Sequence, residues 1–550
     1  MDLTPIPLIT FDEAKELDDF SVSACNIDPF SLMENASSSL WEKFYSHITS
    51  QKKIEFNFSS KLLFLVGSGN NGGDAFGMAI NAYKAGYKNI VVVNGSQRGS
   101  LERNKMFLLL CKLPVLVIPV GEALQDQNKD KLKCDFLFDG ICGIKVFDKP
   151  LRLEWSKLLK FVLSCLPTVV AIDTPSGLNE LGANITLTVE QPKLEFYNME
   201  KRHLCGKILQ AKIPFPSEAH KNILYGRKNQ ISLLPKIDGE LEPIKDPYFY
   251  KSHSYLFHKY KRGRVDLFVG SKSYGGAAVL SALSATSSGC GYVSVTSDLD
   301  IAKLVLQAQP GVVFTDRKRG AKKATLKKIK YAAVGSGWET KASYVKSLTA
   351  ILKHSEGFLV IDASALTIIS RHIKKFVKLL INYKGKILLT PHKGEFDKLY
   401  DAIYSGFKNA KNGVGLMPSS SDFCKKVLCL ANFLNVEVLA KDAISYYAYK
   451  ASSDFNLLVF DGLNGSLATA GSGDILAAFI TGLVARIGSY KETSFYEAVS
   501  LALPLMEYSA RCCYNQVGNF CASEIIPFLK KATATVLPIT RCGESKIELK

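Results

Sequence analysis

The chain has 550 residues, too many for one ordinary core, so two or three domains are expected. Its 47% hydrophobic and 22% charged residues describe an ordinary soluble protein able to bury cores. A formal charge of +18 suggests a nucleic-acid partner, but the lysines are spread along the chain, and the run Lys322–Lys330 lacks aromatic interleaving. No nucleic-acid partner is therefore expected, while anionic small ligands stay compatible. The thirteen cysteines include no Cys-x-x-Cys pair, and Cys512 and Cys513 are adjacent, which excludes a small disulfide scaffold and a zinc ribbon. Free thiols suit a reducing cytoplasm. The N-terminus is acidic (Asp12, Glu13, Glu16, Asp18, Asp19), unlike a signal peptide, and no apolar run reaches membrane-spanning length.

Residues Phe11 to Ser46 read as helices. Leu62–Val66 is a continuous apolar run bounded by turn signals, which predicts a buried parallel strand. It opens into Gly67-Ser-Gly-Asn-Asn-Gly-Gly-Asp74, and a helix is expected over Ala75–Ala85. Further strands are expected at Ile90–Val93, Leu116–Val120, Phe136–Phe138 and Val169–Ile172 with helical segments between, which predicts an α/β domain with a parallel sheet. Three strand-end turns each carry a carboxylate: Asp74, Asp139 (Asp139-Gly-Ile-Cys-Gly143-Ile144) and Asp173 (Asp173-Thr-Pro-Ser-Gly177). Open α/β sheets bind ligands at such turns. Their carboxylate, amide and hydroxyl oxygens suit a hard cation, monovalent or divalent. A single acid of this kind would read as an Asx-turn former or helix cap, and three at successive strand ends weigh against that reading.

Together these turns resemble the N-terminal half of the bifunctional NAD(P)H-hydrate repair enzymes, over roughly residues 10 to 215. That half is an epimerase domain with a Rossmann-like three-layer fold. It interconverts the R and S forms of hydrated NADH and NADPH. The resemblance implies that Asn70, Asn71, Gly72, Gly73 and Asp74 hold the hydrate, together with Gly143, Ile144, Lys145, Val146, Phe147, Asp148 and Lys149. Asn71, Asp139 and Ser176 would coordinate a potassium ion, K+. Asp173 would bind substrate and act as the base, since inversion at a carbon bearing a hydroxyl requires moving that hydroxyl's proton. The chain departs from the family at Ala75, where glycine is usual, and at Asn184, where aspartate is usual.

The strip from Ser217 to Tyr255 has little periodicity and carries Pro235, Pro243 and Pro247, so it reads as a linker with one short strand, Gln230–Leu234. The expected domains are 1–216 and 245–550, joined by 217–244.

The second half opens a new α/β pattern. Val265–Val269 reads as a strand, followed by the turn Gly270-Ser-Lys-Ser-Tyr-Gly-Gly-Ala277 and a helix of small residues ended by Gly289-Cys-Gly291. Strands are expected at Tyr292–Val295, Ala332–Val334, Leu359–Ile361, Ile387–Leu389 and Val436–Leu439. They lead into Gly335-Ser-Gly337, Asp362-Ala-Ser364, Thr390-Pro-His-Lys-Gly-Glu395 and Lys441-Asp-Ala443. Last comes Leu463-Asn-Gly-Ser-Leu-Ala-Thr-Ala-Gly-Ser-Gly-Asp474, running straight into an apolar helix. Glycines there bare backbone N–H groups, the helix N-terminus is partially positive, and the two together cradle a phosphate or a developing anion. Asp474 beside the cradle is either a base for a hydroxyl or a helix cap.

A strand-end Gly-Ser-Gly-Asp that starts a helix resembles the anion hole and base of the ribokinase-like fold. With Thr390–Glu395, the turn ending at Ala277, and Lys441, it resembles the dehydratase half of the same repair family, over roughly residues 245 to 535. In that family a nucleotide phosphorylates the hydrate's hydroxyl, and phosphate then leaves to restore the ring double bond. The resemblance implies that Asp474 takes the hydroxyl proton and that the N–H groups of Gly471, Ser472 and Gly473 stabilise the phosphoryl group. It places Ala277, Gly337 and His392 in the hydrate site, and Lys441, Asp442, Ala443, Ile444, Ser445 and Gly473 on the nucleotide. ADP would be the co-substrate, Mg2+ would neutralise its phosphates, and Glu395 is either a helix-start carboxylate or part of the metal shell. A homo-oligomer is expected, with a tetramer among the open states. Fusion of both halves in one chain is the bacterial and archaeal pattern.

Departures here are Ser336 for proline, Ser364 for aspartate, Asp442 for glycine, and Ala470 and Ser472 in the anion turn. Asp442 has the clearest consequence: a carboxylate repels a nearby phosphate, and glycine at that position would serve a positive φ. Two competing functions follow from the same residues. One is a ribokinase-like kinase of a small molecule such as a vitamin precursor, with an N-terminal binding module. The other makes the first domain a scaffold, a reading that Asn71, Asp139 and Asp173 oppose.

Overall fold

A computed structural model describes residues 2–144, 150–177, 181–213, 216–225, 227–244, 258–320, 322–407, 422–489 and 491–538. The chain divides into two compact units, Pro7–Arg227 and Met1–Ile6 with Lys228–Lys550. The strip 217–244 is shared between them: helix Ser217–Tyr225 falls in the first, and strand Ile231–Leu233 in the second.

In the first unit seven strands form a sheet. They are β2 (Leu62–Val66), β3 (Ile90–Asn94), β4 (Leu116–Pro119), β5 (Phe136–Gly140), β6 (Thr168–Ile172), β7 (Ile185–Val189) and β8 (Lys207–Ala211). Their order is β4-β3-β2-β5-β6-β7-β8, with every pairing parallel. Side chains alternate across a strand, and both faces are covered. Leu62, Phe64 and Val66 join one apolar cluster with Trp41, Phe44 and Phe76, while Leu63 and Leu65 join another with Trp155 and Leu158. This is the expected three-layer α/β arrangement. The helix expected from Ala75 instead begins at Asn70, so Asn-Asn-Gly-Gly-Asp is its first turn rather than a preceding loop. Strands β7 and β8 were not expected.

The second unit holds a mixed sheet. Its strands are β1 (Ile6–Pro7), where the chain passes between the units, β9 (Ile231–Leu233), β10 (Arg264–Phe268), β11 (Tyr292–Ser297), β12 (Val313–Asp316), β13 (Tyr331–Val334), β14 (Phe358–Ile361), β15 (Lys386–Leu389), β16 (Glu437–Ala440), β17 (Ile444–Ala451) and β18 (Asp454–Asp461). The order is β1-β9-β18-β17-β16-β15-β14-β13-β10-β11-β12. β10 to β16 pair in parallel, and β17 runs antiparallel to both β16 and β18. Helix Ser472–Ile487 is buried at every residue from Ile475 onward, against β10, β13 and β14 and beside helix Gly275–Ser287. No described helix is long and apolar enough to cross a membrane.

The parallel part of each sheet reverses winding direction between β2 and β5 in the first unit and between β10 and β13 in the second. The crevice outside the strand C-termini at such a reversal is where open α/β sheets take ligands. The turns after β2, β5, β10 and β13 lie at these reversals, while those of Asp173, Thr390–Glu395 and Lys441 follow β6, β15 and β16 farther along the sheets.

Candidate active sites

In the first unit, β2 delivers the turn at Gly67 and β5 delivers Asp139, side by side at the reversal. Three close backbone approaches lock this crevice. A Cβ on Gly67 would sit 1.9 Å from the Ile141 carbonyl oxygen, one on Gly72 would sit 2.3 Å from the Gly67 carbonyl oxygen, and one on Gly140 would sit 2.5 Å from Ala75 Cβ. Ala75 is fully buried against β5, so its methyl packs within the fold. Gly67→Ala is therefore expected to cost about 1–3 kcal/mol of stability, because backbone rather than a flexible side chain must yield. Urea unfolding of the variant beside the wild type measures this.

Asp139 is fully buried. Its Oδ1 accepts from Ser176 Oγ (2.7 Å) and Ile141 N (3.1 Å), and its Oδ2 accepts from Ser176 N (2.7 Å). Burial pushes its carboxyl up to about 6, and those hydrogen bonds oppose the rise. Ser176 Oγ in turn accepts from Cys142 N (2.9 Å), and Asn71 Nδ2 donates to Cys142 O (2.6 Å). Asn71 Oδ1 is buried with no hydrogen-bond partner. The three expected cation ligands thus converge on one backbone turn, with an acceptor oxygen left over.

Asp173 stands beside them in the left-handed region, at φ 63°. A Cβ on Gly143 would meet Asn71 Cβ at 3.4 Å and Asp173 Oδ2 at 3.9 Å, so the three positions share one wall. Burial raises the Asp173 carboxyl; the Lys193 ammonium and a hydrogen bond from the Ile144 backbone oppose that rise. Burial also holds Asp74 well above the usual carboxylate range, with help from the charge of Asp173. Asn70, Gly72 and Gly73 lie in the same helical turn. Lys145, Val146, Phe147, Asp148 and Lys149 lie outside the described residues. Asn184, the other family departure, sits elsewhere: its Oδ1 accepts from Val169 N (2.7 Å) at the start of β6.

In the second unit a cavity of about 610 Å³ opens at the reversal between β10 and β13. Tyr274, Ala277, Gly337, Trp338, Gly471 and Asp474 are among its lining residues. Gly337 (φ 66°) packs so tightly on Ala277 that a Cβ there would meet Ala277 Cβ at 2.5 Å. Gly471, at φ 96°, turns the chain into helix Ser472–Ile487, and no side chain caps that N-terminus. Asp474 is therefore not the cap. Burial pushes its carboxyl up to about 6, the Asp362 and Glu395 charges add to the rise, and Lys441 and a Ser336 hydrogen bond oppose it.

Behind Asp474 lies a network that the sequence reading left unassigned. Asp362 is almost fully buried. It accepts from Lys441 Nζ (2.7 Å) and Thr390 Oγ1 (2.8 Å) at Oδ1, and from Ser336 Oγ (3.0 Å) at Oδ2. Ser336 thereby donates to Asp362 from the position where the family usually has proline. Lys441 also stands against the helix N-terminus, since a Cβ on Gly473 would sit 3.3 Å from its Nζ. Ala363, next to Asp362, is held at φ 48°, a strained backbone of the kind that clusters at functional sites. His392 is exposed; its Nδ1 accepts from Gly394 N (3.1 Å), and its Nε2 lies 3.5 Å from Glu395 Oε1. Burial raises the Glu395 carboxyl, and Asp362 adds to the rise.

Of the nucleotide residues, Asp442 is exposed, has no positive φ, and accepts from Ala443 N (2.7 Å). The backbone thus does not call for glycine there. Ala443 is exposed as well, while Ile444 and Ser445 are buried at the start of β17. Trp338, 2% exposed with its indole N–H unpartnered, is a cavity residue that sequence reading did not single out. Lys193 of the first unit was not singled out either, and no local pattern announces it, because its partner Asp173 follows β6 while Lys193 follows β7.

Two family models match the chain: one described as YjeF-related protein N-terminus over residues 29–194, and one described as NAD(P)H-hydrate dehydratase over residues 265–524. A bifunctional NAD(P)H-hydrate repair enzyme of Dictyoglomus turgidum is 26% identical over 511 residues, covering 88% of this chain and 90% of that protein. One from Leishmania major is 27% identical, covering 84% of this chain and 82% of that protein. Fusion of the two halves is thus not confined to bacteria and archaea. An ADP-dependent (S)-NAD(P)H-hydrate dehydratase of Streptococcus pneumoniae is 28% identical, covering 53% of this chain and 93% of that protein. A solved ribokinase-like superfamily protein of Enterococcus faecalis is 20% identical, with a TM-score of 0.44 over 54% of this chain and 97% of that one.

Proposed function

We infer that this chain, which belongs to the bifunctional NAD(P)H-hydrate repair family, epimerises R and S hydrates in its first unit and dehydrates the S hydrate in its second. The observation that carries the division of labour is that each unit has its own strand-end constellation: Asp173 on one wall with Asn71 and Gly143 in the first, and Asp474 lining the cavity of Ala277, Gly337 and Gly471 in the second. Asp173 is the base of the first reaction. In the second, Asp474 takes the hydrate's hydroxyl proton as ADP's terminal phosphoryl group arrives at the N–H groups of Gly471, Ser472 and Gly473. The hydroxyl oxygen then leaves as phosphate, the adjacent ring carbon releases a proton to solvent as the double bond forms, and the products are NAD(P)H, AMP and phosphate. Ala277, Gly337 and His392 hold the hydrate, with Lys441 to Ser445 along the nucleotide. Lys441, fixed by Asp362, adds positive charge beside the phosphates.

Mg2+ keeps several waters and takes one or two carboxylates plus phosphates, a mode for which Glu395 supplies the carboxylate. K+ fits the first unit, where the unpartnered Asn71 Oδ1 stands with Asp139 and Ser176 around one turn. Replacing K+ by tetramethylammonium is expected to lower the first unit's melting temperature by a few degrees and slow epimerisation, since an ion that binds only the folded form stabilises it. Calorimetry and a chromatographic assay of the two diastereomers check this.

No disulfide joins the described cysteines, in keeping with a reducing, cytoplasmic location. Exposed Leu299, Leu304, Leu306 and Val313 beside and on the edge strand β12 support a homo-oligomer, with a tetramer among its possible forms. The direct test supplies purified R or S hydrate with ADP or ATP and follows the return of reduced-nicotinamide absorbance. Recovery from both hydrates is expected. Recovery from the S form alone removes the epimerase, and phosphorylation of a vitamin alcohol without hydrate recovery favours the kinase reading.

A further inference from the structure

Lys193 is 3% exposed, at a depth where lysines are almost never found unpaired. It follows β7 by four residues, and two of its three ammonium donors are fixed by the end of that strand: Nζ donates to Thr188 Oγ1 (2.8 Å) and Val189 O (2.6 Å). On the remaining side Asp173 Oδ1 stands 4.0 Å away. Burial lowers the Lys193 ammonium, while Asp173, Asp18, Glu190 and Glu195 all hold the proton on. The Asp173 and Asp18 charges in turn help hold the Asp74 carboxyl up, after burial. Two hydrogen bonds and several acids around one buried cation keep it charged.

We propose that Lys193 is the positioning residue of the epimerase site, a fixed buried cation that keeps Asp173 ionised and aimed among competing carboxyls. The proposal rests on Asp173 being the base. Lys193 is too enclosed to reach the hydrate itself, so it acts through Asp173 and not as the acid that returns a proton to the ring. Without it, burial acts on Asp173 opposed only by the hydrogen bond from the Ile144 backbone, and the carboxyl rises. The base is then protonated up to a higher pH. At 4.0 Å an opposite charge holds a carboxyl down by about 1–3 pH units.

The test is the pH dependence of kcat/KM for R-to-S conversion by the full-length protein without nucleotide, with the two diastereomers separated by chromatography. In Lys193→Met and Lys193→Gln the acid limb is expected to move up by about 1–3 pH units, with activity largely recovered above it. Lys193→Arg, which keeps the charge, is expected to leave the limb near its wild-type position. An unmoved limb in a folded neutral variant overturns the proposal, as does activity lost evenly at every pH. Loss of the fold in both neutral variants, seen by circular dichroism, also overturns it, because Lys193 would then serve the fold. Asp173→Asn, run in parallel, separates the two ideas: retained epimerase activity there removes Asp173 as base, whereas a dead Asp173→Asn with an unmoved Lys193→Met limb removes only the role of Lys193.

Discussion

Asp474→Asn is expected to abolish nucleotide-dependent recovery of NAD(P)H from the S hydrate while R and S hydrates still interconvert. The substitution keeps shape and removes only the ability to take a proton. Since no capping hydrogen bond runs from Asp474, the helix loses no cap with it. A positioned general base contributes about 10²–10⁴-fold, so the remaining rate should be lower by that factor. The wild-type enzyme carries a second signature of the same group. Burial, Asp362 and Glu395 push the Asp474 carboxyl up to about 6, and the base works only as carboxylate. The dehydration rate should therefore be flat above neutral pH and fall about tenfold per unit below pH 6, without a matching loss of fold. Stopped assays between pH 5 and 8 at saturating ADP measure it. A full rate in Asp474→Asn would refute the assignment.

The two sites were legible in the sequence to different depths, for physical reasons. Turns that bind through backbone need glycine and short polar residues in a fixed order, so Asn70–Asp74, Asp139–Gly143 and Gly471–Asp474 stood out as strings. The close approaches at Gly67, Gly72 and Gly337 are the structural side of that constraint. Asp362 and Lys441 are 79 residues apart and meet only because β14, β15 and β16 lie side by side. Each was visible as a strand-end residue, but their pairing was not. Lys193 was hidden outright. Its neighbours Gln191 and Pro192 look like an ordinary turn, and its value lies in a burial that only the fold creates. Among the elements, the hairpin of β17 and β18 escaped notice because its turn has no glycine. Ser452 takes the left-handed conformation there, at φ 55°, in place of the Asn-Gly that usually signals a hairpin. Asp442 shows the opposite error. The sequence pattern suggested a backbone demand for glycine, and the ordinary φ at that position removes it.

Asp173→Asn should give the complementary defect, with R-to-S conversion reduced by about 10²–10⁴-fold and dehydration of supplied S hydrate unchanged. Asparagine is the informative choice because Asp173 sits at φ 63°. Asn tolerates that region nearly as well as Asp, so the backbone turn holding Ser176 stays in place, whereas alanine would add strain to the lost chemistry. The neighbouring ion pair adds a further check. Lys193 stays buried and loses the opposite charge 4.0 Å from it, so a loss of stability of up to about 3–5 kcal/mol is expected, read as a drop in melting temperature. Because Asp173→Asn and Asp474→Asn each leave the other carboxylate intact, an equimolar mixture of the two should repair R hydrate that neither repairs alone. Epimerised product from one molecule would be dehydrated by the other. Failure of the mixture, with each single reaction intact, would mean that the S hydrate does not leave the chain that makes it.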